Sequence, residues 1–231
     1  MHIRTCPGFC KHFLLIFFKD LSTAVDRLID NSFWQVSDYV VILRYLKCKK
    51  MALKKSMLEL QRVDVEQYRQ AQKLPVTLVL DNVRSEMNVG SVLRTADAFL
   101  IERVMLCGIT PIPPKAEIHK TALGAEDSVT WEHCATTLEA VKRLRDEGYR
   151  VCSVEQVHDS VSLERFTVNG SDKVAIVLGN EVKGVSQDVV DASDLCVELP
   201  QEGTKHSLNI SCCAAIVMWH LYSQLRLSPT V

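Results

Sequence analysis

Val174-Ala175-Ile176-Val177-Leu178-Gly179-Asn180-Glu181-Val182-Lys183-Gly184-Val185 sets an unbroken apolar run against a polar loop that holds two glycines. An extended run that is apolar on both faces is covered on both faces, which is the position of an inner strand in a parallel sheet. Four further short runs share this character: Val76 to Leu80, Val104 to Cys107, Val151 to Val154 and Leu195 to Leu199. Between them fall stretches with helical spacing at Val89 to Leu100, Thr137 to Glu147, Ser186 to Ala192 and Ser207 to Leu225. Strand and helix in strict turn predict an α/β fold, a mostly parallel sheet flanked by helices. In such sheets ligands sit beyond the carboxyl ends of the strands, so chemistry is expected in the loops after Leu80, Leu178 and Leu199.

The chain has 231 residues, 47% of them hydrophobic and 24% charged, a balance that suits a globular protein with one main core. A formal net charge of -1 gives no global positive field, so any phosphate-binding surface has to be local. Nine cysteines lie scattered, several inside apolar runs, a pattern that fits a reducing cytoplasm. The apolar run Phe13 to Phe18 ends at Lys19 and Asp20, too soon for a spanning helix, so no membrane anchor is expected.

Residues 1–50 differ from the rest: they carry most of the seven phenylalanines and show no sustained period. They read either as an appended extension upstream of a start at Met51 or as an RNA-binding arm using Lys47, Lys49, Lys50, Lys54 and Lys55. Residues 51–73 read as a helical lead-in and 74–231 as the main domain. His2, Cys6, Cys10 and His12 form one loose group without a paired Cys-x-x-Cys, so no metal is expected.

The first loop runs from Asp81 to Ala96 and contains neither a G-x-G-x-x-G nor a G-x-x-x-x-G-K-[ST] pattern, which disfavours dinucleotide and ATP sites. Val89, Val92, Leu93 and Ala96 have core-face spacing and leave Arg94 on the opposite side, with Asn88 where a helix cap would fall. The second loop puts Glu181 between Gly179 and Gly184, glycines that let backbone approach a ligand closely. The third, Pro200 to Ser211, leads into Cys212 to Trp219, so apolar all round that it has to be buried on several sides, with a subunit interface as one of them. Taken singly, each of these polar residues is more often a cap or a solvated surface group.

Their joint order is more telling. Asn88-x5-Arg94-Thr95-Ala96, then Leu178-Gly179-x-Glu181-x2-Gly184, then Pro200-x6-Ser207-Leu208-Asn209-Ile210-Ser211 resembles the three motifs of the SpoU/TrmH family of RNA ribose methyltransferases, in the SPOUT superfamily. The resemblance covers residues 74 to 225, with Asn180 where the family commonly has serine and Val182 where glycine is frequent. It implies a C-terminal deep trefoil knot, S-adenosylmethionine as cofactor, a homodimer, and methyl transfer to a ribose 2'-hydroxyl, with a transfer RNA expected before a ribosomal RNA. Two other readings of the same fold stand beside it: an RNA-binding module without turnover, and an enzyme that methylates a base nitrogen.

The resemblance assigns Arg94 to the 2'-hydroxyl, Asn88 to orienting the first loop, and Glu181 and Asn209 to holding the site together. Free guanidinium has a pKa above about 12, so Arg94 is read as a positioner and charge stabiliser acting with the target phosphate, and the proton acceptor stays open. The cofactor is expected against Leu178, Gly179, Asn180, Gly184, Leu199, Ser207 and Leu208. Arg84, Lys115, His119 and Lys120 lie in or after loops of the same face and are candidate RNA phosphate contacts.

Overall fold

A computed structural model describes residues 54–56, 59–60 and 63–227. The chain divides into two compact units, Met1–Arg62 and Val63–Val231. The extension at 1–50 and the His2, Cys6, Cys10 and His12 group lie outside the described residues.

The second unit begins with helix α1, Val65–Gln70, started by a capping box in which Asp64 and Gln67 satisfy each other's backbone amides. Seven strands follow: β1 Leu74–Asp81, β2 Ile101–Cys107, β3 Trp131–Cys134, β4 Arg150–Val154, β5 Val161–Ser162, β6 Val174–Leu178 and β7 Leu195–Glu198. They form one sheet in the order β3-β2-β1-β6-β4-β7-β5. Every pairing in it is parallel. The apolar run Val174–Leu178 is β6, which lies between β1 and β4 with all five residues buried.

Helices α2 Glu86–Ala98, α3 Ala116–Ala122, α4 Ala125–Ser128, α5 Thr137–Asp146, α6 Gln187–Ala192 and α7 Ile210–Tyr222 complete the unit. Alternation along β1 divides its side chains between two cores. Val76, Leu78 and Leu80 pack with Val89, Val92, Leu93 and Ala96 of α2 and with Ala214, Val217, Met218 and Leu221 of α7. Val79 packs on the other face with Val141 and Leu144 of α5 and Val189 of α6. Burial of both sheet faces is why the inner strands carry almost no polar residues.

The sheet's carboxyl edge is braced by Asp81, a buried carboxylate at the end of β1. It accepts hydrogen bonds from Thr137 Oγ1 at 2.5 Å, from Asn82 Nδ2 at 2.8 Å and from the Ser186 amide at 2.9 Å. A buried charge is tolerated when its lone pairs are filled in this way, and here it ties the starts of α5 and α6 to the strand end. Gly90 does similar work for α2: a Cβ there would collide with Thr121 and with the Ile118 carbonyl, so the glycine sets how closely α2 and α3 approach.

Two expectations need correcting. Helix α2 is capped by Ser85, whose side chain accepts from the Asn88 amide at 3.3 Å, so Asn88 sits inside the first turn. Helix α7 begins at Ile210 with Asn209 as its cap, so Ser207 lies outside it. Within the chain, Ile210, Ala214, Val217, Met218 and Leu221 of α7 face the core, while Ile216 and Trp219 are 44% and 51% exposed. Trp219 forms an aromatic cluster with Phe99 and Tyr222, at ring separations of 5.8 and 6.0 Å.

Candidate active site

Glu181 is the hub of the site. The loop after β6 is a tight hairpin in which Asn180 and Gly184 exchange both backbone hydrogen bonds at 2.9 Å. Gly179 allows this closure, since a Cβ there would run into the Gly184 and Val185 backbone. The hairpin carries Glu181 towards the first loop, where its carboxylate accepts from the Arg84 amide at 3.0 Å, the Ser85 amide at 3.1 Å and Asn88 Nδ2 at 3.0 Å. Burial alone would raise this carboxyl, but the amides of Arg84 and Ser85 and the Asn88 carboxamide, with its own amide, outweigh that and hold it below its ordinary 4.5.

The chain of contacts continues to the third loop. Asn209 Nδ2 donates to Asn88 Oδ1 at 3.2 Å, and Asn209 Oδ1 accepts from the Ser211 amide at 2.9 Å and from Ser211 Oγ at 2.7 Å. Glu181, Asn88 and Asn209 thus join three loops from distant parts of the sequence into one polar seam. Asn180 adds a second seam: its Nδ2 donates to the Asn82 carbonyl at 2.7 Å, and its Oδ1 accepts from the Val182 amide at 2.9 Å and the Lys183 amide at 3.2 Å. A serine hydroxyl could not span both sides at once, so asparagine at 180 supports the hairpin.

Behind this seam opens a cleft of about 620 Å³ lined by Leu178 to Gly184, Glu198, Leu199, Gln201, His206 to Ile210 and Cys213, and by Val154, Glu155 and Gln156. Cofactor pockets fall in the range of about 300–1,000 Å³. All seven residues expected at the cofactor line this cleft. The Val154 to Gln156 wall follows β4 and carries no motif; the carboxyl-edge rule applied to Val151 to Val154 would have pointed to it. Cys213 is inert here, because burial, then the nearby carboxylate of Glu155 and the thiol of Cys212, push its thiol up to about 11.

Arg94 stands apart from the seam. It is exposed on α2, beyond the turn that carries Asn88, and its side chain makes no hydrogen bond or ion pair among the described residues. Of the candidate RNA contacts, Arg84 is exposed, with its backbone amide on Glu181. His119 Nδ1 lies 2.5 Å from Glu126 Oε1, and the two lysines are ion-paired, Lys115 with Glu86 at 2.9 Å and Lys120 with Glu117 at 3.5 Å. Exposed pairs of this kind are worth about 0–1 kcal/mol, so they exchange readily for a phosphate partner. No cluster of potential metal ligands occurs among the described residues. None of their helices is long and apolar enough to cross a membrane.

Residues 75–219 match the profile of the SpoU rRNA methylase family. The chain belongs to that family. Among its SpoU-family relatives, a Borreliella burgdorferi protein named tRNA (guanosine(18)-2'-O)-methyltransferase is 30% identical over 159 residues, covering 66% of this chain and 68% of that protein. A Staphylococcus aureus protein of the TrmH family is 27% identical over 158 residues, covering 68% of this chain and 62% of that one. The structure of an AdoMet-bound rRNA methyltransferase from Sinorhizobium meliloti superposes with a TM-score of 0.61 at 25% identity, covering 68% of this chain and 60% of that one. This SpoU-family chain therefore spans less than two thirds of the length of the Staphylococcus and Sinorhizobium proteins.

Proposed function

We propose that this chain is an S-adenosylmethionine-dependent RNA 2'-O-methyltransferase acting on a transfer RNA in preference to a ribosomal RNA. The observation that carries the reading is the Glu181, Asn88 and Asn209 seam, which joins all three family motifs beside a cleft walled by the expected cofactor residues. Family membership and the activity for which the Borreliella relative is named support it.

The cleft has the size for a nucleoside cofactor: glycines at 179 and 184 keep side chains out of the hairpin, and the second and third loops line the cavity. Leu178, Leu199 and Leu208 supply apolar walls, and Ser207 supplies a polar side chain. S-adenosylmethionine brings the electrophilic methyl group that such a transfer needs. The chain's own task is to hold a ribose hydroxyl in line with it and to exclude competing geometries. Arg94, unpaired and exposed, is read as the group that engages the target phosphate and stabilises charge at the 2'-oxygen. Asn88 and Glu181 keep the start of α2 fixed while this happens.

Two structural proposals accompany the reading. The carboxyl-terminal part is tied in a trefoil knot, a reading supported by the late strands β6 and β7, which insert between strands laid down earlier in the chain. The working unit is a cytoplasmic homodimer formed on the face where α7 exposes Ile216 and Trp219, apolar surface of the kind that marks an interface. Trp219→Asp is expected to convert the dimer to monomers in light scattering at micromolar concentration; a wild-type chain that is already monomeric there removes the premise.

The activity is tested by incubating the full chain with labelled S-adenosylmethionine and separate RNA fractions, then mapping the nucleosides. Label in 2'-O-methylated nucleosides from the transfer RNA fraction is the expected result. Label on a base nitrogen, or cofactor binding without transfer to any RNA, overturns it.

A further inference from the structure

Glu155 follows the last residue of β4 and stands in the wall of the cofactor cleft. Its Oε2 accepts from the Val185 amide at 2.8 Å and its Oε1 from the Gln156 amide at 2.9 Å. Hydrogen bonds to a carboxylate are about twice as strong as neutral ones, so one side chain fixes the end of the hairpin and the start of its own loop. Gly184 lies in the left-handed region at φ +69°, and a Cβ there would strike the Glu155 carboxylate. The carboxylate thus occupies the space that a side chain at 184 would need.

The next residue reaches the other cofactor loop. Gln156 Nε2 donates to the His206 carbonyl at 3.0 Å, immediately before Ser207 and Leu208. Cys196 of β7 and Cys213 of α7 also sense Glu155: burial is the main cause of their raised thiol pKa values, and the charge of Glu155 adds to it. Two adjacent residues from a strand end that belongs to none of the three motifs therefore grip both loops that wall the cleft.

We propose that Glu155, acting with Gln156, is a positioning residue that sets the separation of the two cofactor loops and so controls affinity for S-adenosylmethionine. The proposal rests on the reading of the cleft as the cofactor site. A merely structural residue would change stability and leave the kinetic constants in proportion. A positioning residue raises the KM for S-adenosylmethionine while the KM for RNA and the kcat at saturating cofactor stay as in the wild type.

Calorimetric titration of S-adenosylmethionine into the full chain, paired with steady-state kinetics, decides it. Glu155→Ala is expected to weaken Kd by at least about tenfold, the scale of one lost hydrogen bond to a charged group. Glu155→Gln, of nearly equal volume, keeps one acceptor, turns an amide against the other backbone donor, and is expected to lie between. It also carries the test if the alanine variant fails to fold. Gly184→Ala is expected to weaken binding less in the Glu155→Ala background than in the wild type, because the colliding carboxylate is gone. If the wild type binds no S-adenosylmethionine, the methyltransferase reading itself falls. If the wild type binds and the Glu155 variants bind within about twofold of it, or the two losses simply add, the cleft keeps its function and Glu155 is not its positioning residue.

Discussion

Replacing Arg94 with alanine is expected to lower methyl transfer by on the order of a hundredfold or more, the scale set by losing one preorganised charged group at a transition state. Binding of S-adenosylmethionine is expected to survive, because no atom of Arg94 lines the cleft. Stability is expected to change by no more than about 0.5 kcal/mol, since the side chain is exposed and the core face of α2 belongs to Val89, Val92, Leu93 and Ala96. Calorimetry and a ribose-methylation assay on the same preparation check both halves. Undiminished methylation by a variant that binds cofactor normally would make Arg94 an ordinary surface residue and move the catalytic face elsewhere.

The second large effect belongs to Glu181. Glu181→Gln keeps the volume but sets an amide against three donors, the Arg84 and Ser85 amides and Asn88 Nδ2. Hydrogen bonds to charged groups contribute about 1.5–3 kcal/mol each, so methyl transfer is expected to fall by roughly ten- to a hundredfold as the start of α2 loosens. The pH dependence has a definite sign. Because the folded carboxyl lies below its ordinary 4.5, its stabilising contribution is complete above that value and is lost as pH falls through the lower folded one. Thermal melts of wild type and Glu181→Gln, run from neutral pH down through the glutamate range, are expected to converge at the acid end. A constant difference across that range would mean that the charge of Glu181 is not what holds the loop.

The inner strands could be read from the sequence because burial on both faces removes every polar interruption, and β6 is found at the same limits that its composition suggests. Edge elements lack that signature. Strand β3 is Trp131-Glu132-His133-Cys134 with none of its residues fully buried, so it has neither an apolar run nor a clean alternation. Helix α3 buries only Ile118 and Ala122, too few positions to establish a period. Asn88 was legible as a site residue but misplaced as a cap, because Ser85 competes for the same role with an equally good acceptor. The motifs brought Glu181 and Asn209 into view, while the hydrogen bond between Asn88 and Asn209 joins residues 121 positions apart, which no local pattern can show. Glu155 escaped for the same reason, since its partner Val185 lies 30 positions away.

The position of β6 beside β1 also bears on how the protein comes into being. When β1 and β2 have left the ribosome, one edge of β1 has its neighbour and the other must wait for Val174 to Leu178. At about 5–20 residues per second, that interval lasts about 4–14 seconds. During it a mostly apolar strand presents open hydrogen-bonding groups, the template on which other chains add. Early docking of α2 over Leu78 and Leu80 would cover one face of that strand during the interval. Any interruption of synthesis before α7 leaves the sheet without its polar seam, since Asn209 follows every strand of that sheet.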